Sequence, residues 1–368
     1  MKILLASGVT RTDLPMADGR TIRYYDRGDI VRSAVDARPH EERPALGELR
    51  LDLLTDEWVA VAAHRQARAF LPPKELCPLC PTKPGLDSEI ADKDYQVVVF
   101  DNKSPSFGVP NKNVELPVKA GRKTKVGQSV GKCEVICFTD NHDISFHQLP
   151  AEQIRIVVEA WRDRTRELSK IKYIEHIAPF ENRGEEIGVT LNHPHGQVYA
   201  YPFIPPKVEK MMRAAQRHFK ETGKVLLDEI VKREIKDELR IVARNEHWIA
   251  YVPFAARYPF EIHVAPLASV ADFTEMSDAQ ADAFPSIAKE VLTRLDGVFG
   301  IQMAYIAAWH QAPVRKGRKY LRLHWQVTSV RRAPGKLKYL AGSESAMGAF
   351  IMDLTPEQSA QQMRDVKI

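Results

Sequence analysis

The sequence predicts an α+β protein, mostly antiparallel sheet with flanking helices, built from two homologous halves. Three observations carry that reading. First, the chain states nearly the same thing twice. "YQVVVFDNKSP", "CEVICFTDNHDISFHQLPAEQIRIVVEAW" and "IAPFENRGEEIGVTLNHPHGQVYAYPF" are answered by "LRIVARNEHWIAYVPF", "FEIHVAPLASVADFTEMSDAQADAFPSIAKEVL", "IQMAYIAAWHQ" and "LRLHWQVTS". Glu134 and Glu261 stand 127 residues apart, His195 and His324 129 apart. A nearly constant offset over several elements argues for internal duplication, far longer than a solenoid repeat. Second, each half reads strand, strand, helix, strand, strand. Third, 368 residues with 44% hydrophobic and 27% charged suit a soluble chain of two domains at about 150 residues each.

Taken in order, residues 1–45 read as irregular, polar and charge-mixed, with no role assigned. The first domain spans 46–206. Within it "YQVVVF" and "CEVICF" are short and β-rich. Residues 151–169 are helical: Pro150 or Ala151 opens the first turn, and Ile154, Val157, Val158, Trp161 and Leu168 recur at helical spacing. Residues 207–237, charge-rich with helical periodicity, form a linking helix region. The second domain spans 238–368. Its helix starts at a capping box, Ser277 with Gln280, and Pro285 inside it should bend or restart it. The tail has Thr355 as cap, Pro356 at the first position and Gln358 three after the cap.

Several function classes fall away. No apolar run approaches the ~20 residues that span a membrane, and charged residues cut "MKILLASG" off too early for a signal peptide. Net charge is +5, with basic residues concentrated only in "KAGRKTKVGQSVGK" (119–132). That run reads as a solvated loop rather than a nucleic-acid surface. It is no phosphate loop either, because Val126 and Cys133 stand where Gly and Ser or Thr are needed. Four cysteines without an export signal point to a reduced, cytoplasmic chain without disulfides.

The chemistry concentrates in "LNHPHGQVYAYPF" (191–203). Side chains alternate along a strand, so His193, His195 and Gln197 should share one face and Asn192, Pro194 and Gly196 the other. Pro194 cannot donate to a ladder, which places the segment at an edge or where its nitrogen needs no partner. A row of three polar groups on one face of an apolar strand demands partners. Just upstream, "ENRGEEIGVT" offers Asn182, Gly184, Gly188 and Thr190, a loop suited to close approach of an anion. Imidazole beside such a loop suits attack at phosphorus.

"FENRGEEIGVTLNHPHGQVYAYPF" resembles the active-site signature of galactose-1-phosphate uridylyltransferases, the transferase branch of the histidine-triad superfamily. "HRQAR", "CPLC", "VFDN", "EVICFTDNH", "EHWIAYVPFAARYPFE", "AAWHQAP" and "KYLAGSE" extend the likeness over most of the chain. The resemblance implies two histidine-triad-like half-barrels and a cytoplasmic homodimer of galactose metabolism. It implies double displacement: His195 attacks the α-phosphorus of UDP-glucose, and galactose 1-phosphate then takes the uridylyl group. It further implies that Gln197 bonds a phosphoryl oxygen and that Asn182, Gly188 and Thr190 line the phosphates. Arg65 and Arg68 would meet the diphosphate, and Asn102 the nucleotide. Lys338 and Glu344 would meet the sugar phosphate and sugar, in relatives often across a dimer interface. The sugar-contacting glutamine of relatives is not evident, Phe350 or Ile351 standing in that region.

For metal, Cys77 and Cys80 form half a zinc site, which the resemblance completes with His193 and one further His near residues 115–125. That stretch holds none, so the fourth ligand is unassigned, with Cys133 as a candidate. A second metal site of some relatives uses one Glu and three His. His310 and His324 match two of these, but Arg322 and about Met211 take the other positions, so no second metal is expected. A related adenylyl transferase or phosphorylase acting on ADP-sugars or diadenosine polyphosphates shares His-x-His and Gln and stays open as the alternative. So does a non-catalytic, zinc-stabilised nucleotide binder.

Overall fold

The computed structural model of the protein describes residues 1–42, 46–67, 71–110, 121 and 124–368. Its first strands are β1 Lys2–Leu4, β2 Val9–Pro15, β3 Thr21–Arg27, β4 Glu48–Asp52, β5 Glu57–Val61, β6 Val97–Asp101, β7 Val126–Gln128 and β8 Lys132–Cys137. Then come α1 Ala151–Ser169, β9 His176–Arg183, β10 His195–Tyr201, α2 Pro206–Thr222 and α3 Leu226–Asp237. The second half adds β11 Ile241–Arg244, β12 Trp248–Tyr251, β13 Phe260–Pro266, α4 Asp278–Gly297, β14 Tyr305–His310, β15 His324–Ser329 and α5 Pro356–Arg364.

Among the described residues, twelve strands join one antiparallel sheet in the order β1-β2-β3-β6-β8-β10-β9-β14-β15-β13-β12-β11, and β5-β4-β7 make a small second sheet. The duplication is visible in it. β6, β8, α1, β9 and β10 are answered by β12, β13, α4, β14 and β15. The halves meet edge to edge at β9 and β14, with Tyr305 opposite Arg183 and Ala308 opposite Phe180.

The ladders correct one pairing. Gly196 faces Ile136 and Trp325 faces Val264, so β8 and β13 are offset by 128 residues. Glu134 therefore matches Ile262, and Glu261 matches Cys133. A one-residue slip exchanges the faces of a strand, and the two glutamates point to opposite sides of the sheet.

One sheet face packs on α1 and α4. Trp161 of α1 meets Phe273, Phe284 and Trp309, and Phe273 and Trp309 rings lie 4.8 Å apart. The caps stand as expected: Ser277 accepts from Gln280 N, and Thr355 from Gln358 N. Pro285 does not interrupt α4, which runs unbroken through it. It sits in the second turn, where it forfeits one main-chain bond, and the buried run of Phe284, Ile287, Ala288 and Val291 holds the helix to the sheet.

Residues 1–27 are not irregular: β1, β2 and β3 extend the main sheet, while 28–42 carry no strand or helix. Charged residues of these strands are buried and paired among their apolar ones, which hides the strand pattern. Arg11 meets Asp163 at 2.9 Å, Arg32 meets Asp26 at 2.8 Å, and Tyr25 donates to Asp163 at 2.6 Å. The linking region folds as two helices, α2 and α3, turned at Gly223 in the left-handed conformation. No helix among the described residues is long and apolar enough to cross a membrane.

Under α1, Arg164 forks onto the fully buried Glu134 with bonds of 2.8 and 2.7 Å. Burial alone would raise the Glu134 carboxyl; Arg164 and Arg23 outweigh it and hold it at about 2. Breaking such a pair strands a buried charge. Arg164→Ala is expected to cost about 3–5 kcal/mol in denaturant unfolding, and Glu134→Leu/Arg164→Leu together less than the single change. In the wild type, the contribution of this carboxylate should be complete above its unfolded value near ~4.3. It should be lost as pH falls towards about 2.

Candidate active site

β10 lies between β8 and β9, a central strand rather than an edge. Pro194 is tolerated because it stands just before the strand, and its carbonyl accepts from Phe138 N at 3.3 Å. Along β10, His195, Gln197 and Tyr199 stay half-buried on one face, while Gly196, Val198 and Ala200 are buried on the α1 side. Gly196 has no room for a side chain: a Cβ would meet the Phe180 carbonyl oxygen at 2.7 Å and the Phe138 ring at 2.8 Å.

His193 departs from the expected row. It precedes the strand, and its ring turns into the protein, 1% exposed. There Cys77, Cys80, His142 and His193 present ligand atoms that all lie within 4.8 Å of one another. Cys80 Sγ is 3.5 Å from Nδ1 of both His142 and His193. Two thiols and two imidazoles at this spacing form a donor set that can hold a metal ion. The other nitrogen of His193, Nε2, lies 2.8 Å from both the Thr139 carbonyl and the Tyr95 hydroxyl, which orients Nδ1 towards the sulfurs. Burial pushes the His193 pKa down to about 3, so the ring is neutral, as a ligand must be. His142 is the ligand that spacing missed. Cys133 is not in the group; it packs with Leu49 and Phe107 elsewhere on β8. The 115–125 stretch falls mostly outside the described residues.

The main chain of His193 serves the other side. Its carbonyl accepts from Nδ1 of His195 at 2.7 Å. That bond fixes the tautomer and puts the ring's lone pair on Nε2.

Two cavities meet at His195, of about 630 and 380 Å³, and share Asn182 and His195. The smaller gathers Asn102, Asn182, Gly188, Thr190, His195 and Gln197, six of the expected residues. Phe100, Leu79 and Val135 give it an apolar side. Gly188 takes φ 78°, a left-handed conformation that closes the short turn Glu185–Ile187 and that other residues resist. Arg20 also reaches this wall and donates to the Asp101 carbonyl at 2.9 Å. Sequence reasoning missed it because it stands in the segment read as irregular.

Arg65 lies two positions along the same face, bonded to Ser106 and 3.4 Å from the Tyr199 hydroxyl. Arg68 lies outside the described residues. Lys338 and Glu344 line neither cavity. They pair with each other at 2.9 Å in the C-terminal segment.

Comparison with known proteins agrees with this geometry. The family model for the galactose-1-phosphate uridyl transferase N-terminal domain matches residues 38–205, and that for the C-terminal domain residues 211–368. A galactose-1-phosphate uridylyltransferase of Streptomyces lividans is 43% identical over 82% of this chain and 81% of its own. One of Thermotoga maritima is 35% identical over 87% and 99%. A solved uridylyltransferase superposes with a TM-score of 0.76 at 32% identity, covering 87% of this chain and 98% of that one. An ADP-glucose phosphorylase of Arabidopsis thaliana, 23% identical with a TM-score of 0.65, shares the fold. With both family models matched across nearly all of its length, this chain belongs to the galactose-1-phosphate uridylyltransferase family.

Proposed function

We propose that the protein transfers a uridylyl group from UDP-glucose to galactose 1-phosphate by two displacements at His195. The observation that carries this reading is the Nδ1 bond of His195 to the His193 carbonyl, with Gln197 next on the same face of the cavity. Nε2 attacks the α-phosphorus, a P–N bond forms, and the P–O bond to glucose 1-phosphate breaks. The imidazole becomes cationic, and the His193 carbonyl stabilises the proton on Nδ1. A phosphate oxygen of galactose 1-phosphate then attacks the same phosphorus. The P–N bond breaks, and UDP-galactose leaves with the histidine restored.

Gln197 donates its amide to a phosphoryl oxygen without acting as an acid. Asn182, Gly188 and Thr190 shape the phosphate wall, and Asn102 with Phe100 and Val135 takes the nucleoside. Arg65 and Arg68 approach the diphosphate, where planar guanidinium suits paired oxygens. Lys338 and Glu344 serve the sugar of a partner copy's site in a homodimer. They stand apart from this chain's own cavities, in a segment that also exposes Tyr339, Met347 and Ile351. The four cysteines are free, in keeping with a reducing cytoplasm. The metal is zinc, held by Cys77, Cys80, His142 and His193; it supplies a crosslink rather than a reacting group.

Incubation with UDP-glucose without acceptor should add the mass of one acid-labile uridylyl group to wild type and none to His195→Ala, and galactose 1-phosphate should discharge it. Labelling by ADP-glucose in place of UDP-glucose would move the chain to the adenylyl alternative. Gln197→Ala should keep the adduct but slow its formation by about 10²–10³-fold, the usual loss of one transition-state donor. Metal analysis should find about one zinc per chain. His142→Ala should lose it and Cys133→Ser retain it; retention in His142→Ala would remove that ligand from the site.

A further inference from the structure

The second half holds a cavity of about 460 Å³ that the transfer reaction does not use, between β12, β13 and β15 and the helices α2 and α3. Register makes its floor the counterpart of the active site. Gln197 faces Val135 across β10 and β8, and Gln326 faces His263 across β15 and β13. Nδ1 of His324 bonds the carbonyl of Arg322, two residues back, at 2.9 Å, as His195 bonds His193. Nε2 of His324 accepts from the Gln326 amide at 3.0 Å, so the lone pair that an attack would need is engaged. The arrangement suits binding without transfer.

Three features point to an occupant. Tyr251 lines the cavity, and its hydroxyl, buried beside it, has no hydrogen-bond partner among the described residues. Leaving such a group unmatched costs about 1–3 kcal/mol. Lys207 enters from the first turn of α2 and gives one of its three donors to Gln326 Oε1 at 2.7 Å. The side chain is exposed overall and turns its ammonium in to Gln326 at the cavity wall. Charge is also out of balance. Glu261 is already bonded to His263 Nε2 at 3.0 Å and to Arg257 N at 2.6 Å, and Glu234 is taken up by Arg240 at 3.0 Å. Glu261 offsets only one of Lys207, Arg257 and Arg322, which still leaves an excess of positive charge around apolar walls of α2 and α3.

We propose that this cavity is a second, non-transferring site that binds a small phosphate ester. Its phosphate lies against Lys207 and Tyr251, and its sugar or base against α2 and α3. The size matches a mononucleotide or hexose phosphate, and the excess cations match an ester with several acceptor oxygens.

Equilibrium dialysis of the full chain against labelled UMP, glucose 1-phosphate and inorganic phosphate tests this. Wild type should bind one more equivalent of at least one ester than Lys207→Met does, with the uridylyl-transfer rate unchanged. Tyr251→Phe should weaken that extra equivalent by up to about tenfold without lowering the Tm of the unliganded protein, because the hydroxyl removed had no partner. Equal numbers of both esters in wild type and Lys207→Met would overturn the proposal. So would an extra equivalent of inorganic phosphate alone. Should Lys207→Met fail to fold, an unchanged affinity in Tyr251→Phe would overturn it equally.

Discussion

The bond from Nδ1 of His195 to the main-chain carbonyl of His193, at 2.7 Å, is the constraint on which the site depends. One residue orients the His195 ring and belongs to the group that can hold a metal ion. The ring of His193 is buried with Cys77, Cys80 and His142, and its carbonyl sets the tautomer of His195. Anything that fixes the ring fixes the carbonyl. A Cys and His cluster able to hold a metal can thus govern which nitrogen of His195 carries the lone pair. The third support is steric: Gly196, with no space for a Cβ, lets β10 lie close against Phe180 and Phe138 while His195 and Gln197 face the cavities.

The scaffold behind this row is held by charges as much as by apolar packing. Glu134 with Arg164, and Asp163 with Arg11 and Tyr25, lie where α1 meets the sheet. Buried pairs of this kind contribute little net stability over apolar packing, but they cost a great deal when halved. They tie α1 to β2, β3 and β8 at set positions, and β8 in turn sets the register of β10.

Much of this was legible in the chain. The strand-strand-helix-strand-strand order of both halves, the capped starts of α4 and α5, and the gathering of Asn102, Asn182, Gly188, Thr190 and Gln197 around His195 follow from local pattern and from the resemblance. The misses have physical causes. Strands β2 and β3 bury Arg11 and Asp26 beside Val9, Ile22 and Tyr24, so they look irregular until the partners of the charges are known. His142 escaped because the resemblance placed the fourth ligand near residues 115–125, whereas the sheet brings this imidazole to the cluster. β8 and β10 run antiparallel with Cys137 opposite His195, so the loop leaving β8 must lie beside the loop entering β10. Glu134 and Glu261 seemed equivalent because a single-residue slip cannot be seen without the ladder.

The two halves show how one strand pair is made to serve different ends. His195 and His324 both bond the carbonyl two residues back, so each needs the loop entering its strand to be fixed. The first half fixes it with the Cys and His group. In the second half Arg322 stands at the position of His193, and its guanidinium donates to the carbonyls of Arg318 and Leu321 and to Ser269 Oγ, at 3.1, 2.9 and 3.1 Å. An internal arginine brace thus does there what a metal-ligand group can do in the first half, with no thiol or second imidazole required. Trp325 occupies the place of Gly196 and fills the core where Gly196 must leave room for the Phe138 ring and the Phe180 carbonyl. The floor of His324 and Gln326 keeps the geometry of the His195 row, and Nε2 of His324 is bonded to Gln326, so its own lone pair is engaged.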